Sequence, residues 1–241
     1  MFQRICKFLL CLALLLPGSS WAISLDSSGS TTATSSAGQS FSFTNTAGDF
    51  LLCYIGAGDA VSTDFDGWTA TYAGASMTAI PSSKVYDGGW VGIQGFYKIG
   101  PATGTNTVAT STGALDQVAV MCASFTGVDQ TTPLGTAATN SATSGTTASV
   151  SVSSATGELV IGGIASDAED GITETGTLIL EAGPVASDTL FGIQYYSGAA
   201  SVTAQWSQST NRWAVSGVSI KPASGGGGVT LKNLSLMGVG Q

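Results

Sequence analysis

Two stretches decide the fold: Gly48-Asp49-Phe50-Leu51-Leu52-Cys53-Tyr54-Ile55, and its echo Gly157-Glu158-Leu159-Val160-Ile161. Each starts on a turn signal, Gly followed by an acid, and runs straight into apolar residues. Six apolar residues in a row, too few for a helix and bounded by turn formers, read as a strand covered on both faces. Working outward, Phe41-Ser42-Phe43 alternates as a half-buried strand does. Trp68 to Tyr72 and Ser76 to Ile80 form a hairpin around Ala73-Gly74-Ala75. Trp90 to Ile99, Thr105 to Thr110 and Gln117 to Phe125 follow. After a Ser/Thr/Gly loop come Ala148 to Val152, Glu158 to Ala165, Thr177 to Glu181, Phe191 to Tyr196, Ser201 to Trp206 and Trp213 to Lys221. Short strands with Gly-rich turns and no helical period indicate an all-β sandwich or barrel.

The halves echo one another further. Gly92-Ile93-Gln94 returns as Gly192-Ile193-Gln194, each followed by aromatics. Ala119 to Phe125 parallels Ala214 to Ile220. Three matches in one order are read as a duplicated six-strand unit; the alternative is chance likeness among strands built from few residue types. Such a unit gives either two tandem domains or a single jelly-roll-like sandwich of about twelve strands. The junction, Thr131 to Thr147, carries no stiff or charged linker, which favours the single sandwich over residues 23–223.

Residues 1–22 read as a signal peptide. Arg4 and Lys7 precede the apolar run Phe8 to Leu16, Pro17-Gly18-Ser19 breaks it, and Ser20-Trp21-Ala22 supplies small residues at the cleavage positions. The run falls short of the roughly 20 apolar residues that span a bilayer. Leu10 before Cys11 excludes a lipoprotein anchor. The mature chain is expected to begin near Ile23, to be exported, and to have no membrane span.

Two of the seven basic residues leave with that segment, so five face fifteen acidic ones, a net charge of −10. Such a surface does not suit nucleic acid or anionic lipid. Charged residues make up only 9% of the chain, so Ser, Thr, Asn, Gln and Gly must supply most of the polar surface.

Of four cysteines, Cys6 and Cys11 fall in the signal segment. Cys53 and Cys122 remain as a disulfide candidate in an exported chain, or as two small buried hydrophobes. Histidine is absent. That removes Cys/His metal sets and the common Ser-His and Cys-His nucleophiles. Lys84, Lys98, Lys221 and Lys232 stand in no catalytic spacing. Carboxylate pairs can hydrolyse glycosides, but most acids here, such as Asp49, Asp87 and Asp188, sit in turns. The chain is therefore read as not an enzyme.

Two acidic loops, Asp59/Asp64/Asp66 and Asp167/Glu169/Asp170, offer oxygen ligands for calcium, the one cofactor considered. Neither has the spacing of a known calcium loop, so solvated turns are the competing reading. Asp66-Gly67-Trp68 and Asp87-Gly88-Gly89-Trp90 each place a Trp after a tight turn and a carboxylate. That combination suits a sugar, making Asp66, Trp68, Asp87 and Trp90 candidate carbohydrate-binding residues. The competing reading buries both tryptophans, as expected for Trp206 and Trp213.

A resemblance runs across residues 23–223. It is carried by Ile23-Ser24-Leu25-Asp26-Ser27-Ser28, Tyr72-Ala73-Gly74-Ala75-Ser76-Met77-Thr78, Pro101-Ala102-Thr103-Gly104-Thr105 and Val218-Ser219-Ile220-Lys221-Pro222. Its most specific part is Ser124-Phe125-Thr126-Gly127-Val128-Asp129-Gln130-Thr131-Thr132-Pro133-Leu134-Gly135. These resemble a widespread group of secreted bacterial and phage-associated β-sandwich domains, similar to concanavalin-like jelly rolls. The group has no defined catalytic residues, so the resemblance implies fold and extracellular context only.

Residues 224–228 read as a Gly-rich linker, and 229–241 as a tail containing Val229, Leu231, Leu234, Leu236 and Met237. This tail could add to a sheet edge of a neighbouring molecule, fold back, or stay a disordered end. The expected function is a non-catalytic module that binds glycans or a cell surface. The alternative is a structural component of an extracellular or virion surface that self-associates through the tail.

Overall fold

The strand at Phe50–Gly58 (β3) is buried at every position, and the reason lies in the layering around it. The structure, a computed structural model, describes residues 22–58, 66–113, 115–185 and 188–224. The signal segment except Ala22, the linker after Ser224 and the tail lie outside the described residues. The secondary structure described is strand alone, and among the described residues no helix is long and apolar enough to cross a membrane.

β3 lies in a six-stranded antiparallel sheet with β1 (Ser24–Ser36), β10 (Leu115–Thr126), β8 (Gly92–Ile99) and β6 (Thr78–Ala79), in the order β1-β10-β3-β8-β6, and β7 (Val85–Tyr86) also pairs with β8. A second sheet runs β2-β9-β4-β5, built from Ser40–Asn45, Gly104–Ser111, Thr69–Tyr72 and Ala75–Ser76 respectively. Side chains of a strand alternate between faces. Leu51, Cys53, Ile55 and Ala57 of β3 therefore pack against Phe43, Ala70, Tyr72 and Val108 of the second sheet. The chain passes between these sheets in the order and connectivity of an eight-stranded jelly roll.

The other face of β3 meets a third sheet. Its order is β11 (Ala138–Ser153), β16 (Ser201–Ile220), β12 (Leu159–Ser166), β15 (Thr189–Ser197) and β14 (Thr177–Val185). Phe50, Leu52 and Tyr54 join Ile161, Ala165, Phe191 and Val218 in the largest core. Two six-stranded sheets thus close face to face, with the four-stranded sheet on the far side of the first, and β3 has no solvent side.

The third sheet then turns over itself. The N-terminal part of β16 pairs with the C-terminal part of β11 and with β13 (Ile172–Glu174), while its C-terminal part pairs with β12. Register shifts in β11 between Ala142 and Thr147 mark the corner. The folded-over part lays Val150, Val152, Ala204 and Trp206 on Val160, Ile164 and Val215.

The sequence echoes fall on matching places. β10-β3-β8 and β16-β12-β15 are adjacent in the same order, and the pairing Cys122↔Cys53 corresponds to Gly217↔Gly162. The cysteines are joined by a disulfide. The glycines leave room for the turned-over layer: a Cβ on Gly217 would lie 2.6 Å from Val152 Cγ2, and one on Gly162 would lie 2.9 Å from Ala204 Cβ.

Two expectations differ from the structure. Sixteen strands are described against about twelve expected, because two- and three-residue pieces such as β5, β6, β7 and β13 leave no periodic signal. The junction read as a loop from Thr131 to Thr147 enters strand β11 at Ala138. Its Ser, Thr and Ala side chains show no apolar period, and backbone pairing to β16 holds it instead.

Candidate functional site

Asp87 follows β7 and organises the next four residues. Gly88 and Gly89 take positive φ, 115° and 138°, which the tight return of the chain requires. Asp87 Oδ1 accepts the backbone N–H groups of Trp90 (2.9 Å) and Val91 (3.0 Å). Its Oδ2 accepts Nη1 of Arg212 at 2.9 Å. The Asp87 side chain is fully buried, whereas that of Arg212 is 34% exposed. Burial pushes the Asp87 carboxyl up, but the Val91 and Trp90 N–H groups and Arg212 outweigh it and hold the carboxyl below its ordinary value.

Arg212 also stands over the Trp90 ring, its Cζ 5.4 Å from the ring centroid, a cation–π distance. Trp90 is nonetheless 48% exposed, more than any other large apolar residue described. A ring pinned through its backbone and flanked by Arg212, yet open to solvent, is a rigid flat surface.

That surface faces a cleft of about 410 Å³. One side comes from the loop after β12, with Asp167, Glu169 and Asp170. Asp188 and the bend residues Ser209 and Asn211 complete it. Asp167 is anchored by its N–H to the carbonyl of Arg212 (3.1 Å). Ser166 beside it donates its hydroxyl to Gln208 Oε1 (2.6 Å). Asp188 accepts Nε2 of Gln117 from β10 at 2.6 Å. Burial pushes the Asp167 carboxyl up, and Asp188, Asp87 and Glu169 add to this against the opposing charge of Arg212.

The structure divides the candidate residues. Trp90, from the first half, lines one cleft with Asp167, Glu169 and Asp170, from the second, and buried Asp87 holds the Trp90 backbone from behind. The sequence reading had kept these as separate candidates for sugar and calcium. Asp66 and Trp68 do not join them, which corrects their assignment to a sugar site. Trp68 is 6% exposed and lies in the core between the first two sheets, because its strand, β4, packs against the central sheet. Asp66 is solvent-exposed and pairs with Lys84. Trp206 and Trp213 are buried. Asp59 and Asp64 lie outside the described residues. Among the described residues no group of three or more His, Cys, Asp or Glu side chains is gathered so as to hold a metal ion. The Asp167/Glu169/Asp170 loop lines the cleft.

The sequence reading missed Arg212, Gln117 and the part played by Asp188. Arg212 lies inside a strand with no motif around it, and Gln117 is a buried polar residue that meets Asp188 only through the fold. Neither the protein-family models nor the curated proteins contain a match to the chain.

Proposed function

We propose that the chain is an exported, non-catalytic module that binds glycans, with the Trp90 cleft as its site. The observation that carries this reading is a half-exposed tryptophan held rigidly at the rim of a polar cleft. A sugar ring stacks its apolar face on an indole while its hydroxyls bond to carboxylates, amides and hydroxyls at the edge. Asp167, Asp188, Asn211 and Ser209 supply such groups. Export and the resemblance to secreted concanavalin-like domains agree with this reading, and the lack of histidine supports the non-catalytic part. A glycan-array screen with and without calcium is the test. Specific binding that survives Trp68→Phe and falls at least tenfold in Trp90→Ala is expected. Binding that persists in Trp90→Ala would remove the site, and silence across the array would remove the reading.

A second reading, a structural component of an extracellular or virion surface, draws on where the described chain ends. Ala223 donates its N–H to Gly127 O at 2.7 Å, beside the Ser24↔Thr126 start of β1. β1 is a thirteen-residue terminal strand whose only charge is Asp26. Long edge strands with little charge accept further strands, and the tail, residues 229–241, follows Ala223 closely in sequence. Oligomers that vanish on deletion of residues 224–241 would support this reading, whereas monomers with and without the tail would overturn it.

A further inference from the structure

The chemistry of the cleft narrows its ligand. Arg212 is the nearest cation, and buried Asp87 neutralises it through the 2.9 Å pair. Lys84 is paired with Asp66, Lys98 reaches the carbonyl of Ser76, and the charge of Lys221 acts on Asp129. Among the described residues only Arg212, already paired with Asp87, is left to act on Asp167, against four carboxylates on the cleft wall, Asp167, Glu169, Asp170 and Asp188. Ionised carboxylates accept hydrogen bonds and donate none. Behind them Gln117, 3% exposed, commits its Nε2 to Asp188, and its Oε1 has no partner among the described residues. The Asn211 amide donates to Ser209 Oγ. The wall is thus rich in acceptors and negative charge, with the Trp90 ring at its edge.

A complementary ligand brings donors and positive charge. An ammonium has three donors and no acceptor and is attracted both to carboxylates and to an indole face. An acidic glycan would set like charges together, with only the Asp87-paired Arg212 to offset them. The flat exposed ring and the Ser209 and Asn211 side chains match a sugar better than an extended peptide, which would call for a sheet edge or a deep side-chain pocket. Asp167, already pushed towards its protonated form by burial and by its neighbours, would gain a counter-charge.

We infer that the Trp90 cleft selects glycans bearing free amino groups, such as de-N-acetylated hexosamine oligomers, over neutral and acidic ones. This rests on the glycan-binding reading above.

The experiment is calorimetry on the purified full chain, as its host processes it, with four probes. These are a β-1,4-glucosamine hexamer, its fully N-acetylated counterpart, a hyaluronan hexamer and a hexalysine peptide. At low salt the glucosamine hexamer should bind at least tenfold more tightly than the N-acetylated one, and hyaluronan should not bind. The preference should shrink in high salt, since exposed charges are screened within about 10 Å at 0.1 M ionic strength. Glu169→Gln with Asp170→Asn, both exposed positions, should weaken the glucosamine hexamer several-fold and so narrow its preference over the N-acetylated hexamer. Equal or tighter binding of the N-acetylated hexamer overturns the inference and leaves the binding-module reading standing. Equal binding of hexalysine overturns it as well, because charge alone would then suffice. No binding by any probe overturns both.

Discussion

Removing the Asp87 carboxylate is the sharpest test of how the Trp90 platform is held. In Asp87→Ala three donors lose an acceptor: the N–H of Trp90, the N–H of Val91 and the Arg212 guanidinium. Val91 is 1% exposed, so its N–H stays buried without a partner, at a cost of about 1–3 kcal/mol. Breaking a buried ion pair by removing one member costs about 3–5 kcal/mol. Arg212 is a third exposed and can regain water, which puts its share well below that range. We expect a total loss of about 3 kcal/mol, a large part of the roughly 5–15 kcal/mol that stabilises a typical domain. Arg212→Ala should cost about 2 kcal/mol, because it leaves a buried carboxylate with its two N–H donors only. The double variant should fall short of the sum by about 1–2 kcal/mol.

Urea unfolding followed by tryptophan fluorescence gives these values from the midpoints, provided the slopes agree. The pH dependence adds a check on sign. The folded Asp87 carboxyl titrates below its ordinary value of 3.8. Its contribution is therefore fully present above the unfolded value and is lost as pH falls through the folded one. Wild type and Asp87→Asn should differ at pH 7 and converge in strong acid. A loss below about 1 kcal/mol in Asp87→Ala, or strict additivity with Arg212→Ala, would refute the idea that this pair holds the platform.

Gly56→Ala tests the interface between the two large sheets. The new Cβ would lie 2.3 Å from Phe191 Cδ1, and the overpacking should cost about 1–3 kcal/mol in the same assay. Replacing Cys53 and Cys122 with Ala should lower stability by about 3–5 kcal/mol, since the bond closes a loop with a sequence separation of 69; free thiol in the unfolded, unreduced protein would refute the bond. Asp167→Asn should raise stability at pH 7. The folded carboxyl titrates above its ordinary value, so the ionised form is the disfavoured one, and the gain should fade as pH drops towards 4. Equal stability of variant and wild type at pH 7 would refute the strain assigned to that wall.

The middle of the fold was legible because its residues leave no other choice. Phe50 to Ile55 and Val118 to Ala123 are apolar without alternation, as suits a strand covered on both faces, and they became the centre of the middle sheet. The Asp-Gly-Trp and Asp-Gly-Gly-Trp turns were equally visible, yet their local sequences do not separate a core tryptophan from an exposed one. Trp68 leads into β4, which lies flat on the central sheet. Trp90 leads into β8 beside the bend of β16, where Arg212 stands over its ring and about half of it stays open.

On its own, the sequence determined the all-β class, the acidic character, the internal echo and the cysteine pair open to bonding, since composition and periodicity act locally along the chain. Tertiary structure alone decided that β1 and the first part of β11, from Ala138, are strands, because backbone pairing and not an apolar stripe holds them. It also decided that Trp90 lines one cleft with Asp167 and Asp188, with the Asp87–Arg212 pair beside its ring. Those residues stand about a hundred positions apart, and only the packing of one jelly-roll face on the next sheet brings them together.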